Sequence, residues 1–155
     1  METNGKLNDV LNDLIRINHD REEGYEKAIK QLGLKNDGLK KMFRSYAKDS
    51  RQYADVLSAY VERNGGKASD DATISGKIYR AWMEVKTEMS NKESESVLDS
   101  CEYGEDAAQK AYSQALGSDV TIPADIREII SRQKSLLKKA HDEVKHERDL
   151  QSTHH

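Results

Sequence analysis

Gly65-Gly66-Lys67-Ala68-Ser69-Asp70-Asp71-Ala72-Thr73-Ile74 opens a connection that runs on to Ser90, and its length decides the topology of the chain. These residues are mostly small and polar and read as loop. After them Ile78, Trp82, Val85 and Met89 recur at spacings of four, three and four. That is the pattern of a short amphipathic helix, predicted over about 76–89, with Trp82 as its anchor.

On each side of the connection lies a pair of long helical segments. The first helix is predicted over about 7–32, with Leu7, Leu11, Leu14, Tyr25, Ile29 and Leu32 on one stripe and Gly33 as its stop. The second is predicted over about 38–64, with Leu39, Phe43, Tyr46, Ala47, Tyr53, Ala54, Leu57, Tyr60 and Val61 inside and Gly65-Gly66 at its end. Ser90-Asn91-Lys92-Glu93 has the spacing of a capping box and predicts a third long helix over about 91–116, carrying Val97, Cys101, Ala108, Tyr112 and Ala115. Pro123 suits a helix start, and a fourth long helix follows to about residue 150, with Ile126, Ile130, Leu137, Ala140 and Val144 inside.

Short links within each pair predict two antiparallel hairpins. A 25-residue helix is about 38 Å long. The connection Gly65–Ser90 is long enough to return along it, which sets the second and third long helices parallel. The expected fold is therefore all-α: a ferritin-like four-helix bundle of two antiparallel hairpins, joined by a long crossover that contains a short helix, in one domain over 1–155. The alternative is an up-down bundle with a fifth helix laid across one end.

Composition excludes several classes of function. Charged residues make up 34% and hydrophobic residues 35%, with one Pro, which suits long helices with solvated outer faces and not a sandwich or barrel. No apolar run approaches the ~20 residues of a membrane span, and the N-terminus lacks the apolar core of a secretory signal. A single Cys, Cys101, fits a reducing compartment. The net charge of -3 provides no basic field for nucleic acid. The expectation is a cytoplasmic protein that meets neither membrane nor nucleic acid.

Ferritin-like bundles often carry a di-metal site built from inward Glu residues and Glu-x-x-His pairs. On the first helix the stripe passes through Asn18 and Glu22, with Arg21 at its rim and Asp20 pointing almost the opposite way. On the third long helix it passes through Glu105. Glu22-Glu23-Gly24-Tyr25-Glu26-Lys27-Ala28 also parallels Glu105-Asp106-Ala107-Ala108-Gln109-Lys110-Ala111, as a duplicated hairpin would give. The partner helices do not supply the rest. Opposite Glu22 stand Ser50 and Tyr53, and opposite Glu105 stand Gln133 and Leu136, so neither Glu-x-x-His is present.

Two readings follow. In one, Asn18, Glu22, Ser50, Tyr53, Glu105 and Gln133 form a buried polar network that fixes helix register, with Arg21 placed to neutralise a Glu. In the other, Glu22 and Glu105, helped by Asp49 or His141, hold a divalent ion such as iron or manganese weakly. No tightly bound cofactor is expected. Cys101 is expected to be buried and inert, and no phosphate-binding loop, zinc cluster or nucleophile elbow is present.

Ser75-Gly76-Lys77-Ile78-Tyr79-Arg80-Ala81-Trp82-Met83-Glu84-Val85-Lys86 and Cys101-Glu102-Tyr103-Gly104-Glu105-Asp106-Ala107-Ala108-Gln109-Lys110-Ala111-Tyr112, with Leu14-Ile15-Arg16-Ile17-Asn18-His19-Asp20 and Gly24-Tyr25, carry a resemblance. Together they resemble an uncharacterised bacterial family, a domain of unknown function among ferritin-like four-helix-bundle proteins. The resemblance implies the bundle and a bacterial cytosolic setting. It brings no reaction and no catalytic residue.

The expected function is thus that of a non-catalytic helical bundle acting through a protein partner or self-association, as in a stress response. The alternative is a divergent ferritin-like metal-binding protein with a reduced site at Glu22 and Glu105. A third expectation is a bundle that holds a small apolar ligand, where Ala47, Ala54, Ala108, Ala111 and Ala115 leave room between helices.

Overall fold

The computed structural model describes residues 2–34, 36–68, 76–91 and 97–152. They form five helices and no strand: α1 (Glu2–Leu32), α2 (Asp37–Arg63), α3 (Lys77–Asn91), α4 (Val97–Leu116) and α5 (Ala124–Ser152). The fold is all-α. Gly33 adopts a φ of 63°, a left-handed conformation that ends α1, and its N–H donates to the Lys30 carbonyl at 3.2 Å.

Two long helices start well away from the expectation: α1 begins at Glu2 and not at about 7, and among the described residues α4 begins at Val97 and not at about 91. Ser90 and Asn91 lie in the last turn of α3, so Ser90 does not cap the following helix. Lys92 and Glu93 of the same motif, and Ser69–Ile74 of the loop, lie outside the described residues. Pro123 precedes α5, and its carbonyl accepts the Arg127 N–H at 2.9 Å.

Hydrogen bonds between helices give their directions. Along α1 and α2, Asn8 meets Asn64, Asn18 meets Ser50 and Arg21 meets the Tyr46 carbonyl, so the two are antiparallel. Along α4 and α5, Gln109 meets the Lys134 carbonyl and Asp106 meets His141, again in opposite order. Asn18 meets Tyr112 and Arg21 meets Glu105, which makes α1 and α4 antiparallel. Tyr46 meets Glu143 and Arg63 meets Asp125, which does the same for α2 and α5. Hence α2 and α4 run the same way. The chain returns between them through α3, which lies against α1 and α4 and runs parallel to α1.

Each long helix buries a stripe at alternating steps of three and four. On α1 it is Leu7, Leu11, Leu14, Asn18, Arg21, Tyr25 and Ala28. On α2 it is Phe43, Ala47, Ser50, Ala54, Leu57 and Val61. On α5 it is Ile126, Ile130, Gln133, Leu137, Ala140 and Val144. α1 is buried more widely than one stripe, because Ile15 and Ile17 are also shut off from water. The apolar core falls into two clusters. One contains Leu11, Leu57, Tyr112 and Ile130; the other contains Tyr25, Phe43, Leu98 and Val144. Polar side chains occupy the height between them.

Candidate functional site

Asn18, Arg21, Ser50, Glu105 and Gln133 stand at core positions of their helices and are all buried. The interior must satisfy them with one another, because water is excluded. Arg21 Nε donates to Glu105 Oε1 at 2.6 Å, and Nη2 donates to Oε2 at 2.8 Å. This two-bond fork matches a planar guanidinium to a carboxylate. Arg21 Nη1 donates to the Tyr46 carbonyl at 3.1 Å and to Ser50 Oγ at 2.7 Å.

From Ser50 the donors run in one direction. Ser50 Oγ donates to Asn18 Oδ1 at 3.0 Å, and Asn18 Nδ2 donates to Tyr112 Oη at 2.8 Å. Tyr112 Oη donates to Gln133 Oε1 at 2.7 Å, and Gln133 Nε2 donates to the Tyr53 carbonyl at 3.3 Å. The chain of bonds touches all four long helices, and each donor meets an acceptor.

The same neighbours set the electrostatics. Burial works against the Arg21 cation, but the charge and hydrogen bonds of Glu105 more than offset it and keep Arg21 charged. The rings of Tyr25 and Tyr46 lie 5.1 and 5.6 Å from the guanidinium carbon, within cation–π range. Burial, and then Glu105, push the Tyr25 phenol well above its ordinary range. Burial, followed by Glu105, pushes the Cys101 thiol up to about 12.

A second constellation joins α3 to α1. Asp13, 2% exposed, accepts the backbone N–H of Gly76 at 2.9 Å and of Tyr79 at 3.1 Å. A carboxylate from one helix thus caps the N-terminus of another, where orphan N–H groups and the helix dipole favour negative charge. Asp20, two turns further along α1, accepts Tyr79 Oη at 2.7 Å and Trp82 Nε1 at 3.0 Å and pairs with Lys86 at 3.3 Å. Gly76 is required by the close approach, since a Cβ there would lie 2.4 Å from Asp13 Oδ2. Gly76 and Trp82 of the α3 motif are therefore its docking residues.

A family model for a domain of unknown function, DUF2383, matches residues 6–118. The chain belongs to this family. No curated protein matches it. The DUF2383 stretch holds Asp13, Asn18, Arg21, Ser50, Gly76, Trp82, Glu105 and Tyr112, whereas Gln133 and His141 on α5 lie beyond it.

Within this DUF2383 chain the sequence-predicted residues separate. Asn18, Ser50, Glu105 and Gln133 come together, and Tyr53 joins them through its backbone carbonyl. Glu22 does not. It is only half-buried, and the inward position belongs to Arg21. The reason is phase: from Leu14 through Asn18 the alternating step lands on Arg21, then on Tyr25. That signal stands in the sequence and places Arg21 in the core, not at the rim. Asp49 is half-buried, and burial raises its carboxyl pKa.

His141 is in another place. Its Nε2 lies 2.5 Å from Asp106 Oδ1, and its Nδ1 lies 3.0 Å from Asp142 Oδ1. Among the described residues, Glu102, Asp106 and His141 form a group whose ligand atoms lie within 4.8 Å of one another, near enough to hold a metal ion. Glu102 also pairs with Arg148. Asp13 and Asp20 were not expected from the sequence; their seven-residue spacing on the face away from α2 is the signal for a second helix docked there.

Proposed function

We propose that this DUF2383 protein is a non-catalytic bundle of the ferritin-like type, working in the bacterial cytoplasm through a protein partner or self-association. The observation that carries the reading is the Arg21–Glu105 fork at 2.6 and 2.8 Å. At the interior height where a ferritin-like bundle would gather carboxylates around metal, the cation is the chain's own guanidinium. Glu105 has both oxygens engaged by Arg21, and Glu22 is half-buried, one residue along from the buried Arg21. A di-iron oxidase wants four carboxylates and two imidazoles there, and the neighbours are Ser50, Asn18, Tyr112 and Gln133.

Elemental analysis of tag-free protein, challenged anaerobically with ferrous iron, tests it. The expected result is no stoichiometric iron and no change in melting. Bound iron that disappears in Glu105→Gln overturns the reading.

The metal-binding alternative draws support from a different place than Glu22 and Glu105. Asp142 engages Nδ1 of His141 and leaves Nε2 toward Asp106, the arrangement that orients many metal-ligating imidazoles. Arg148 competes for Glu102. Manganese or zinc binding lost in His141→Gln and retained in Glu22→Gln would favour this alternative.

A further inference from the structure

Glu102 and Glu105, three residues apart on α4, each meet an arginine from another helix. The two pairs differ in kind. Arg21 and Glu105 form a two-bond fork, with side chains 4% and 2% exposed. Arg148 reaches Glu102 from the last two turns of α5, and its side chain is 34% exposed. Its Nη1 pairs with Glu102 Oε2. That oxygen is shut off from water, yet it accepts no hydrogen bond among the described residues. Such an oxygen is costly in a native interior. Arg148 also has other acidic neighbours: its Nη2 donates to Asp149 Oδ1 at 2.9 Å, and the charge of Asp99 acts on it. Arg148 keeps these when it leaves Glu102.

On its other side Glu102 faces ligands. Asp106, one turn along α4, and His141 on α5 bring their ligand atoms within 4.8 Å of one another and of Glu102. Two carboxylate oxygens and one imidazole nitrogen suit a zinc-type divalent ion, which takes them at about 2.0–2.2 Å. Tetrahedral ligands at that radius lie about 3.4 Å apart, so side-chain movement of about 1 Å closes the group. Asp142 engages His141 Nδ1 and fixes the ring. Asp106 is 55% exposed, which gives the ion a way in from solvent.

We propose that Arg148 is a displaceable placeholder: a zinc-type divalent ion takes Glu102 from the guanidinium, joins it to Asp106 and His141, and leaves Arg148 to Asp149. The inference rests on the metal-binding alternative and adds how that site is filled and emptied. The ion replaces a partly exposed ion pair, which is worth little, with three ligand bonds across the α4–α5 seam. When the ion leaves, Arg148 returns, so Glu102 is never left without a cation. Arg21 is not displaceable in this way, because Glu105, the Tyr46 carbonyl and Ser50 hold it out of reach of water.

The test titrates the full chain with cobalt(II), the spectroscopic substitute for zinc, and reads the visible absorption of the bound ion. The expected result is one saturable site per chain, lost in His141→Gln. Arg148→Gln tightens binding about two- to fivefold, the scale of one exposed ion pair. Lys145→Gln removes the same charge three residues earlier on α5 and leaves the affinity unchanged, so the effect belongs to the Glu102 contact and not to net charge. If neither the wild type nor Arg148→Gln binds cobalt, the proposal and the metal-binding alternative fall together. If both bind it equally, or Lys145→Gln tightens binding as much, the site stands and the placeholder role of Arg148 is overturned. Bands retained in His141→Gln, which keeps His146, His154 and His155, put the ion elsewhere and overturn the proposal as well.

Discussion

Arg21 and Glu105 close the α1–α4 seam with two hydrogen bonds, 2.6 Å from Nε to Oε1 and 2.8 Å from Nη2 to Oε2, with both side chains shut off from water. Desolvating two charges is expensive, and each is tolerated only because the other is present. Arg21→Met and Glu105→Gln are each expected to cost about 3–5 kcal/mol, because one buried ionic group loses its counterpart. The double variant Arg21→Met/Glu105→Gln is expected to cost clearly less than the sum. Denaturant unfolding of the four proteins gives the coupling directly, and strict additivity would show that the fork is not a unit.

Docking of α3 depends on a carboxylate that belongs to α1. Asp13→Asn keeps the shape but weakens the charge-assisted cap, and Gly76→Ala pushes a methyl group toward the same oxygen. Each is expected to lower stability by about 1 kcal/mol, the usual scale of a lost cap. Hydrogen exchange should localise the change to α3, with red-shifted Trp82 emission. Equal loosening throughout α2 would contradict a local cap.

The α4–α5 seam should be pH-sensitive. Burial works against the His141 imidazolium, but the hydrogen bonds and charges of Asp142 and Asp106 prevail and raise its pKa above 6.5. A raised folded-state pKa gives stability that is complete below the unfolded value and is lost as pH rises through the folded one. Asp142 behaves oppositely. Hydrogen bonds from His141 and Lys138 lower it below 3.8, so its contribution is present above that value and disappears as pH falls through the lowered one. The seam is expected to be firmest between the two ordinary values, 3.8 and 6.5. An NMR titration of His141 should give a midpoint above 6.5, and His141→Gln should flatten the alkaline decline in stability.

Cys101 should be a poor nucleophile. Moving its thiol from 9.0 to about 12 lowers the thiolate fraction about a thousandfold at neutral pH. Alkylation by iodoacetamide at pH 8 is therefore expected to be slow in the folded protein and fast in denaturant. Rapid alkylation of the folded chain would show that burial and Glu105 do not suppress the thiolate.

The helices were legible because their stripes are long and their stops are simple, such as Gly33 after α1 and Gly117 after α4. The polar interior was partly legible: Asn18, Ser50, Glu105 and Gln133 interrupt apolar stripes at core spacing. Arg21 and Glu22 are hard to tell apart in the sequence because both neighbour Tyr25 on a helical wheel, and α1 buries two faces. A template that expects one inward face cannot centre such a stripe. Side-chain type misled as well, since a carboxylate at that height fits a metal site and a guanidinium does not. The face receiving α3 depends on a tertiary contact between Asp13 and Gly76, 63 residues apart, which periodicity within one helix does not encode. Ser90 has the spacing of a cap, but α3 extends to Asn91 and takes it into its last turn.

The polar height between the two apolar clusters sets how insertions and deletions are tolerated. Adding one residue to α1 between Leu14 and Asn18 turns everything beyond it by about 100° and takes Arg21 off the core. Adding seven residues restores the face but carries Arg21 about 10.5 Å along the axis, past Glu105 and Ser50. A purely apolar bundle would accept the longer insertion with modest repacking; this one has a single height at which all four long helices agree. Length changes are therefore confined to the helix ends and the links between them, and the distance from Asn18 to Arg21 is the part of the chain least free to vary.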